Sequence, residues 1–132
     1  MDRPTVAEAM LATASAWAMR STCSRLSVGA VLARDGRVIS TGYNGVPTGL
    51  PHCDHEDDAP CTMAVHAEAN AILFAARHGV STLYCTAAPC LGCSGLLLNA
   101  GITKVVYRDH YRSTEGLDRL ATAGAKVQQF QD

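Results

Sequence analysis

The sequence predicts an α/β fold, a three-layer α-β-α sandwich around a five-stranded, mixed and mostly parallel sheet. Short apolar segments typical of strands alternate along the chain with longer segments typical of helices. This alternation indicates parallel strands covered by helices. Asp35-Gly36 is a hairpin turn signal between two of the strands, so one strand is expected to run antiparallel. The 132 residues suit one domain, predicted to span residues 1–132.

Helix formers and the hairpin turn predict the first three elements. Alanine, leucine and methionine dominate residues 4–19, which are predicted to form a helix capped by Thr5 or Asp2. The apolar run over residues 26–33 is predicted to be a buried strand. The turn then makes residues 37–43 the returning strand.

Glycine and proline separate the remaining elements. Residues 44–61 are a long loop rich in proline, glycine, histidine and cysteine, and loops of this length are usually functional. A helix is predicted over residues 66–78, ended by a glycine, and a strand over residues 81–86. Pro89 has no backbone donor to lose at a helix start, so a helix is expected to run from it to about Ala100. Strand, helix and strand complete the chain over residues 103–107, 113–122 and 126–130.

Composition and charge argue against several classes of protein. With 48% hydrophobic and 17% charged residues, the chain is predicted to be globular and not disordered. The net charge of −1 disfavours a nucleic-acid-binding surface, which is usually basic, so no nucleic acid partner is expected. The sequence contains no apolar run of membrane-spanning length and no recognisable signal segment. We therefore expect a cytoplasmic protein without a membrane partner.

The residues that carry chemistry form a His-x-Glu motif, which starts at His66, and a Pro-Cys-x-x-Cys motif, which ends at Cys93. One imidazole and two thiols three residues apart suit a zinc ion with three protein ligands and one position left for water. Both motifs open predicted helices, whose positive N-terminal ends favour thiolate over thiol. His66, Cys90 and Cys93 are therefore the predicted zinc ligands, and Glu68 is left free as the catalytic proton shuttle.

His-x-Glu followed by Pro-Cys-x-x-Cys is typical of the zinc-dependent nucleobase deaminases. Zinc with an open position lowers the pKa of bound water to about 7. Glu68 is expected to take a proton from that water, deliver it to the ring nitrogen beside the amino carbon, and protonate the departing ammonia. Two other interpretations stay open. One is a closed zinc site with Glu68 as the fourth ligand, and the other is a redox pair of the two cysteines.

Over nearly its whole length the chain resembles the deoxycytidylate (dCMP) deaminase family. The resemblance implies a cytidine deaminase-like fold, one catalytic Zn²⁺, and hydrolytic deamination of dCMP to dUMP and ammonia. The zinc motif is shared by the whole superfamily, whereas a Gly-Tyr-Asn-Gly stretch followed by His-Cys is more specific to the dCMP branch. The matching stretches include residues 23–31, 41–47, 52–53, 66–72, 89–93 and 101–107.

The resemblance also implies how the pyrimidine is held. Asn44 is expected to bond the base or the deoxyribose, and the backbone amide of Ala67 is expected to face the cytosine carbonyl. An amide in the first turn of a helix has no partner within the helix, which suits that role. From the residues alone, the Asn-Gly pair at Asn44 is typical of a hairpin turn, so a turn role stays open.

A substrate that carries a phosphate requires a cation near the cavity. Arg25 is the first candidate, because it precedes the first strand. Arg108 and Arg112, beside Tyr107 and Tyr111, follow the fourth strand, where parallel sheets place ligand-binding loops. Solvated arginines and packing tyrosines are the alternatives for these residues.

Regulation and assembly are implied by the resemblance alone. Family members are often homohexamers that dCTP activates and dTTP inhibits at a site near the Gly-Tyr-Asn-Gly stretch. We carry this behaviour to the chain as an expectation, with Mg²⁺ accompanying the nucleotide effector.

Several residues depart from the family's pattern. Met63-Ala64-Val65 stand where a bulky or basic residue is usual, and Ala87-Ala88 are smaller than usual. Smaller side chains around the pocket predict that a 5-substituted dCMP, such as 5-methyl-dCMP, is accepted. Ser94-Gly95 resemble tRNA adenosine deaminases, which keeps that activity as an alternative. A non-catalytic zinc-binding module is a further alternative, although it has no use for a free Glu68.

A second, structural zinc is the last hypothesis. Cys23, Cys53, His55 and Cys61 crowd the long loop and its approach, and three cysteines with one histidine satisfy a closed tetrahedral site. Buried thiols without a metal are an equal alternative, because the spacing matches no tight zinc motif. Cys85, within a predicted strand, is expected to belong to the core.

Overall fold

The computed structural model describes residues 2–23, 26–53 and 63–131. Within these residues the predicted order of helices and strands is confirmed. None of the described helices combines the length and the apolar character needed to cross a membrane. The elements are α1 (Val6–Ala18), β1 (Gly29–Arg34), β2 (Arg37–Tyr43), α2 (Ala67–Leu73), β3 (Ser81–Ala87), α3 (Leu91–Asn99), β4 (Ile102–Asp109), α4 (Glu115–Thr122) and β5 (Lys126–Gln129).

The strands form one five-stranded mixed sheet in the order β2-β1-β3-β4-β5. β1 is antiparallel to both of its neighbours, β2 and β3. β3, β4 and β5 pair in parallel. It follows that β2 runs in the same direction as β3, β4 and β5, and that β1 is the reversed strand. The prediction of a mixed, mostly parallel sheet is confirmed, with the reversed strand inside the sheet.

Helices cover both faces of the sheet, as the three-layer prediction requires. α1 packs on one face, and α2, α3 and α4 pack on the other. Side chains alternate between the two faces along each strand, so neighbouring residues of β3 belong to different clusters. The α1 side is built from Met10, Leu11, Ala14, Val31, Tyr84 and Val106, and the opposite side includes Ala67, Ala71, Leu83, Cys85, Leu97, Val105 and Leu120.

β1 and α3 begin later than the sequence predicts, and in both cases a side chain near the site is responsible. β1 starts at Gly29, because the N–H of Val28 donates to Asn44 Oδ1 at 2.8 Å and not to a neighbouring strand. α3 starts at Leu91, because Cys90 adopts the extended backbone of an N-cap. The proline before it therefore lies just outside the helix.

α2 is shorter than predicted, ending at Leu73 and not at residue 78. His78 Nε2 lies 2.9 Å from the carbonyl oxygen of Ile72. A longer helix would bring the N–H of Ala76 to that oxygen. The imidazole therefore occupies the carbonyl oxygen that the next helical hydrogen bond would use.

Close contact with β2 determines where α2 lies. A Cβ atom on Gly42 would lie 2.3 Å from the carbonyl oxygen of Ala67, so only glycine lets the helix start approach the strand this closely. Asn70 Nδ2 donates to the carbonyl oxygen of Tyr43 at 2.9 Å. These contacts hold the first turn of α2, which carries part of the site, against the sheet.

Candidate metal centre

Two helix starts supply the predicted metal ligands. His66 is the N-cap of α2, Cys90 is the N-cap of α3, and Cys93 lies in the first turn of α3. Both caps have extended backbone, with φ −68° and ψ 153° at His66 and φ −77° and ψ 173° at Cys90. An N-cap residue stands at the mouth of its helix, where its side chain lies beside the free N–H groups of the first turn. The sequence places these two residues inside the first turns, and the structure moves them to the caps.

The three candidate ligand atoms lie close together. His66 Nδ1 lies 3.4 Å from Cys90 Sγ and 3.3 Å from Cys93 Sγ. All three atoms lie within 4.8 Å of one another. Bond lengths of about 2.3 Å to sulfur and about 2.1 Å to nitrogen place these atoms about 3.6 Å apart around a tetrahedral zinc ion. The donor set and its spacing therefore fit zinc.

Hydrogen bonds within this group set the charges of the two sulfurs. Bonds from the Cys93 thiol and from His66 lower the pKa of Cys90 from 9.0 to about 3. The bond to Cys90, together with burial, raises the pKa of Cys93. Bonding to Cys90 also raises the pKa of His66. One negative sulfur beside a protonated one is a charge arrangement that a divalent cation completes by displacing the remaining proton.

Glu68 lies beside the ligand group and not within it. It is the second residue of α2, and its side chain is 4% exposed. Burial raises the pKa of this carboxyl from 4.5 to about 7. Over the described ranges, the cluster able to hold a metal contains an imidazole and two thiols but no carboxylate. This geometry favours an open three-ligand site over a closed site completed by Glu68.

A cavity opens onto these residues. Its walls come from the hairpin end, the start of α2 and the segment between β3 and α3. Asn44, Ala67 and Tyr111, which were predicted to bind substrate, all line it, and so do the small residues that depart from the family's pattern. The lining consists of Cys23, Leu26, Val28, Asn44, Ala64, His66, Ala67, Glu68, Ala87, Ala88, Cys90 and Tyr111.

The side chain of Asn44 holds one wall of this cavity in place. Its Oδ1 accepts from the N–H of Val28 at 2.8 Å, and its Nδ2 donates to the carbonyl oxygen of Leu26 at 2.6 Å. Asn44 is 7% exposed. An amide oxygen and an amide nitrogen each have capacity for a second hydrogen bond. The predicted contact with a bound base or sugar is therefore compatible with this structural role.

A second cavity adjoins the first, with which it shares Leu26, Ala87 and Tyr111. It is the more cationic of the two, because Arg108 and Arg112 line it. Ser15, Ser27, Thr86, Asp109 and His110 also contribute to its walls.

The predicted phosphate-binding residues differ in where they lie. The guanidinium of Arg112 lies 5.9 Å from the ring centroid of Tyr111, at the cavities. Tyr107 is buried with Ala88 and Leu117, a placement that matches the packing alternative. Arg25, the first candidate, lies outside the described residues.

The hypothesis of a second metal site also stays a prediction. His55 and Cys61 lie outside the described residues. Cys23 is buried and lines the first cavity, and Cys53 Sγ lies 3.7 Å from the carbonyl oxygen of Thr22.

Gly116, which the sequence motifs do not single out, lies against the backbone of a candidate metal ligand. A Cβ atom on this α4 residue would lie 2.2 Å from the carbonyl oxygen of Pro89 and 2.7 Å from the carbonyl group of Cys90. α4 can therefore pack against the cap of α3 only if this position is glycine. A glycine inside a short predicted helix, where alanine is favoured, was the available signal.

Known proteins resemble this chain over most of its length. A family model for the cytidine and deoxycytidylate deaminase zinc-binding region matches residues 4–109. A deoxycytidylate deaminase of Mycobacterium phage D29 is 43% identical over 124 residues, covering 81% of this chain and 97% of that protein. ComE operon protein 2 of Bacillus subtilis is 39% identical over 140 residues, covering 99% of this chain and 74% of that protein.

A solved structure agrees with these sequence relatives. The crystal structure of dCMP deaminase from the cyanophage S-TIM5 in complex with dCMP and dUMP superimposes with a TM-score of 0.88. The two sequences are 34% identical, and the match covers 98% of this chain and 100% of the other. The sequence comparison and the structure comparison therefore both find deoxycytidylate deaminases.

Gly116→Ala is expected to weaken zinc binding at least about tenfold, because the added methyl group must displace the backbone that presents Cys90. Zinc titration against a competing chelator measures the effect. Gly95→Ala is the matched control, since its Cβ would lie 3.6 Å from the nearest side-chain atom, an ordinary contact. The control should keep its zinc affinity. Equal affinities for the two variants would contradict the role of Gly116.

Proposed function

The chain belongs to the cytidine and deoxycytidylate deaminase zinc-binding family, and on that premise we propose that it hydrolyses dCMP to dUMP and ammonia. One observation carries the proposal. An imidazole and two thiols converge with zinc-ligand spacing, while a separate buried carboxylate lines the same cavity. Binding alone does not require that carboxylate, whereas a proton-transfer reaction does.

Relatives and charge together favour dCMP over the alternatives. The phage D29 relative is a deoxycytidylate deaminase, and the structural relative from cyanophage S-TIM5 was solved with dCMP and dUMP. A tRNA adenosine deaminase needs an extended basic surface, which the net charge of −1 disfavours. A purely structural zinc module would leave a carboxylate buried at a cost without using it.

In the proposed reaction, Glu68 carries both of the protons that are transferred. His66, Cys90 and Cys93 would hold a zinc ion, which would serve as a Lewis acid and lower the pKa of water to about 7. Glu68 accepts one proton from the attacking water and delivers it to N3 of cytosine, while the water oxygen bonds to C4. Glu68 then carries the remaining proton of that oxygen to the amino group, the bond from C4 to the amino nitrogen breaks, and ammonia leaves as the carbonyl group of uracil forms.

Neighbouring groups orient the base for this attack. The N–H of Ala67 donates a hydrogen bond to the cytosine carbonyl oxygen in this proposal, because the first N–H groups of a helix have no partner within the helix. Asn44 lines the cavity beside it and fixes the Leu26 to Val28 wall. A fixed wall keeps the reacting carbon close to the attacking oxygen without further ordering on binding.

We assign the phosphate to the second cavity. Arg112 and Arg108 line it, and it adjoins the first cavity through Tyr111. A guanidinium can hold two phosphate oxygens at once, which favours arginine at this end of the nucleotide. Arg25 remains part of this proposal on the strength of the sequence.

The finer features that the resemblance implies are part of the same proposal. These are a homohexamer, dCTP and dTTP as effectors, Mg²⁺ with the effector, and a second structural zinc. A groove beside the Gly-Tyr-Asn-Gly stretch supports an effector or subunit contact there, because Trp17, Tyr43, Pro47 and Phe74 line it. A cytoplasmic location is proposed as well, since two reduced thiols are needed as metal ligands.

Glu68→Gln is expected to lower kcat for dCMP by a factor of about 10² to 10⁴, because the amide cannot carry protons between water and base. Ammonia release measures the rate. Zinc content and circular dichroism should match the unmodified protein. Glu115→Gln, an exposed change at the start of α4, is the control and should retain full activity. Ammonia release by the Glu68 variant at the wild-type rate would refute the assigned role.

Arg112→Gln is expected to raise KM for dCMP by about tenfold or more, since a charged hydrogen bond to phosphate is lost. Activity on deoxycytidine, which lacks the phosphate, should not change. Arg37→Gln, an exposed change on β2, provides the comparison. If the substitution impairs activity on dCMP and on deoxycytidine equally, Arg112 does not bind the phosphate.

5-Methyl-dCMP is expected to be turned over faster than dCMP, because Ala64, Ala87 and Ala88 leave room along the cavity wall. Ala87→Val should then reduce kcat/KM for 5-methyl-dCMP more than for dCMP, by a factor of about 10. Ala121→Val, on the exposed side of α4, should leave the ratio unchanged. Equal or slower turnover of 5-methyl-dCMP by the unmodified protein would remove this hypothesis.

A further inference from the structure

The second cavity is lined in part by α1, which packs on the sheet face opposite to α2, α3 and α4. Ser15 of α1 and Arg108 of β4 both belong to the cavity wall. The reaction proposed above uses no residue of α1. A contact between this helix and an arginine of the cavity therefore bears on how the cavity binds an anion.

The hydroxyl of Ser15 holds the guanidinium of Arg108. Arg108 Nη1 donates a hydrogen bond to Ser15 Oγ, and the contact is partly buried. The hydroxyl of Thr13 behaves differently, because it donates to the carbonyl oxygen of Ala9 in the same helix at 2.8 Å. Thr13 thus makes the local bond that is usual for a hydroxyl inside a helix. Ser15 instead joins the helix to the end of a strand.

The backbone of Arg108 is fixed as well. Its carbonyl oxygen accepts a hydrogen bond from Gln129 Nε2 at 3.0 Å. Gln129 belongs to β5 and pairs with Tyr107, the residue before Arg108, in the parallel ladder of β4 and β5. Arg108 is therefore held at both ends by protein groups, at the main chain by β5 and at the guanidinium by α1.

A guanidinium that is already held binds an anion at a lower entropic cost. A free arginine side chain populates many rotamers and loses this freedom when it pairs with a phosphate. The guanidinium has five N–H donors, so the bond to Ser15 leaves others for an anion. Arg108 is half-buried, whereas Arg112, Asp109 and His110 of the same cavity are exposed. Solvent and salt therefore screen the charge of Arg108 less than the charges of these neighbours.

We propose that Ser15 is a positioning residue, whose hydroxyl fixes the guanidinium of Arg108 in the direction of the nucleotide phosphate. The assignment rests on the proposed function and adds a residue of α1 to it. Ser15 acts through Arg108 and not on the phosphate itself. Loss of the hydroxyl should therefore reduce affinity only where the ligand carries a phosphate and Arg108 is present.

Binding of dUMP and of deoxyuridine to the zinc-loaded protein isolates the contribution of the phosphate. By calorimetry, Ser15→Ala is expected to weaken dUMP binding about threefold to tenfold and to leave deoxyuridine binding unchanged. Alanine is the best helix former, so α1 should be retained. Ser15→Thr keeps a hydroxyl and should bind dUMP within about twofold of the unmodified protein. Thr13→Ala, which removes a hydroxyl bonded within the same helix, is the control and should bind both ligands normally.

A double substitution tests whether Ser15 acts through Arg108. In Arg108→Gln, whose dUMP binding should already be weakened, adding Ser15→Ala is expected to cause no further loss. Unchanged dUMP affinity in Ser15→Ala, equal weakening of both ligands, or a further loss in the Arg108→Gln background would each overturn the proposal. Ammonia release from dCMP by the unmodified protein is a separate measurement. Its absence would refute the proposed function, whereas the affinities for dUMP and deoxyuridine would still decide the role of Ser15.

Discussion

Two helix N-termini meet at one end of the sheet, and the candidate site depends on that meeting. His66 and Cys90 cap α2 and α3 with extended backbone, and Cys93 joins them from the first turn of α3. Unpaired N–H groups at two converging helix ends create a positive potential that favours anionic sulfur and carboxylate. Gly42 and Gly116 permit the close packing that brings the two ends together. The arrangement of the candidate ligands is thus a consequence of how closely the backbone segments pack.

Hydrogen bonding and burial then give the titratable groups near the site different charges. Cys90 is held as an anion by hydrogen bonds, whereas desolvation keeps Cys85 neutral. Glu68 lies between these extremes, with a pKa that burial raises to about 7. A carboxyl with a pKa near neutrality both accepts and releases protons readily. The site therefore contains an anionic sulfur and a proton carrier that line the same cavity.

The two adjoining cavities suit the two ends of a nucleotide. The first cavity, beside His66 and Glu68, has mostly apolar walls with a few polar groups, as a base requires. The second cavity has arginines, as a phosphate requires. The chain's net charge of −1 gives no hint of this local cationic surface. A few well-placed cations are enough for a small anion, whereas a long polyanion needs many.

The sequence by itself determined the element order, the mixed sheet and the His66, Cys90 and Cys93 donor set, because these follow from local periodicity, turn residues and short motif spacing. Tertiary structure alone decided that Tyr107 packs in the core and that Gly116 lies against the backbone of Cys90. Each of these contacts joins residues from different elements, and local pattern contains no information on such distances. The start of β1 and the end of α2 were also decided by side chains, since Asn44 and His78 bond to backbone groups that a longer strand or helix would use.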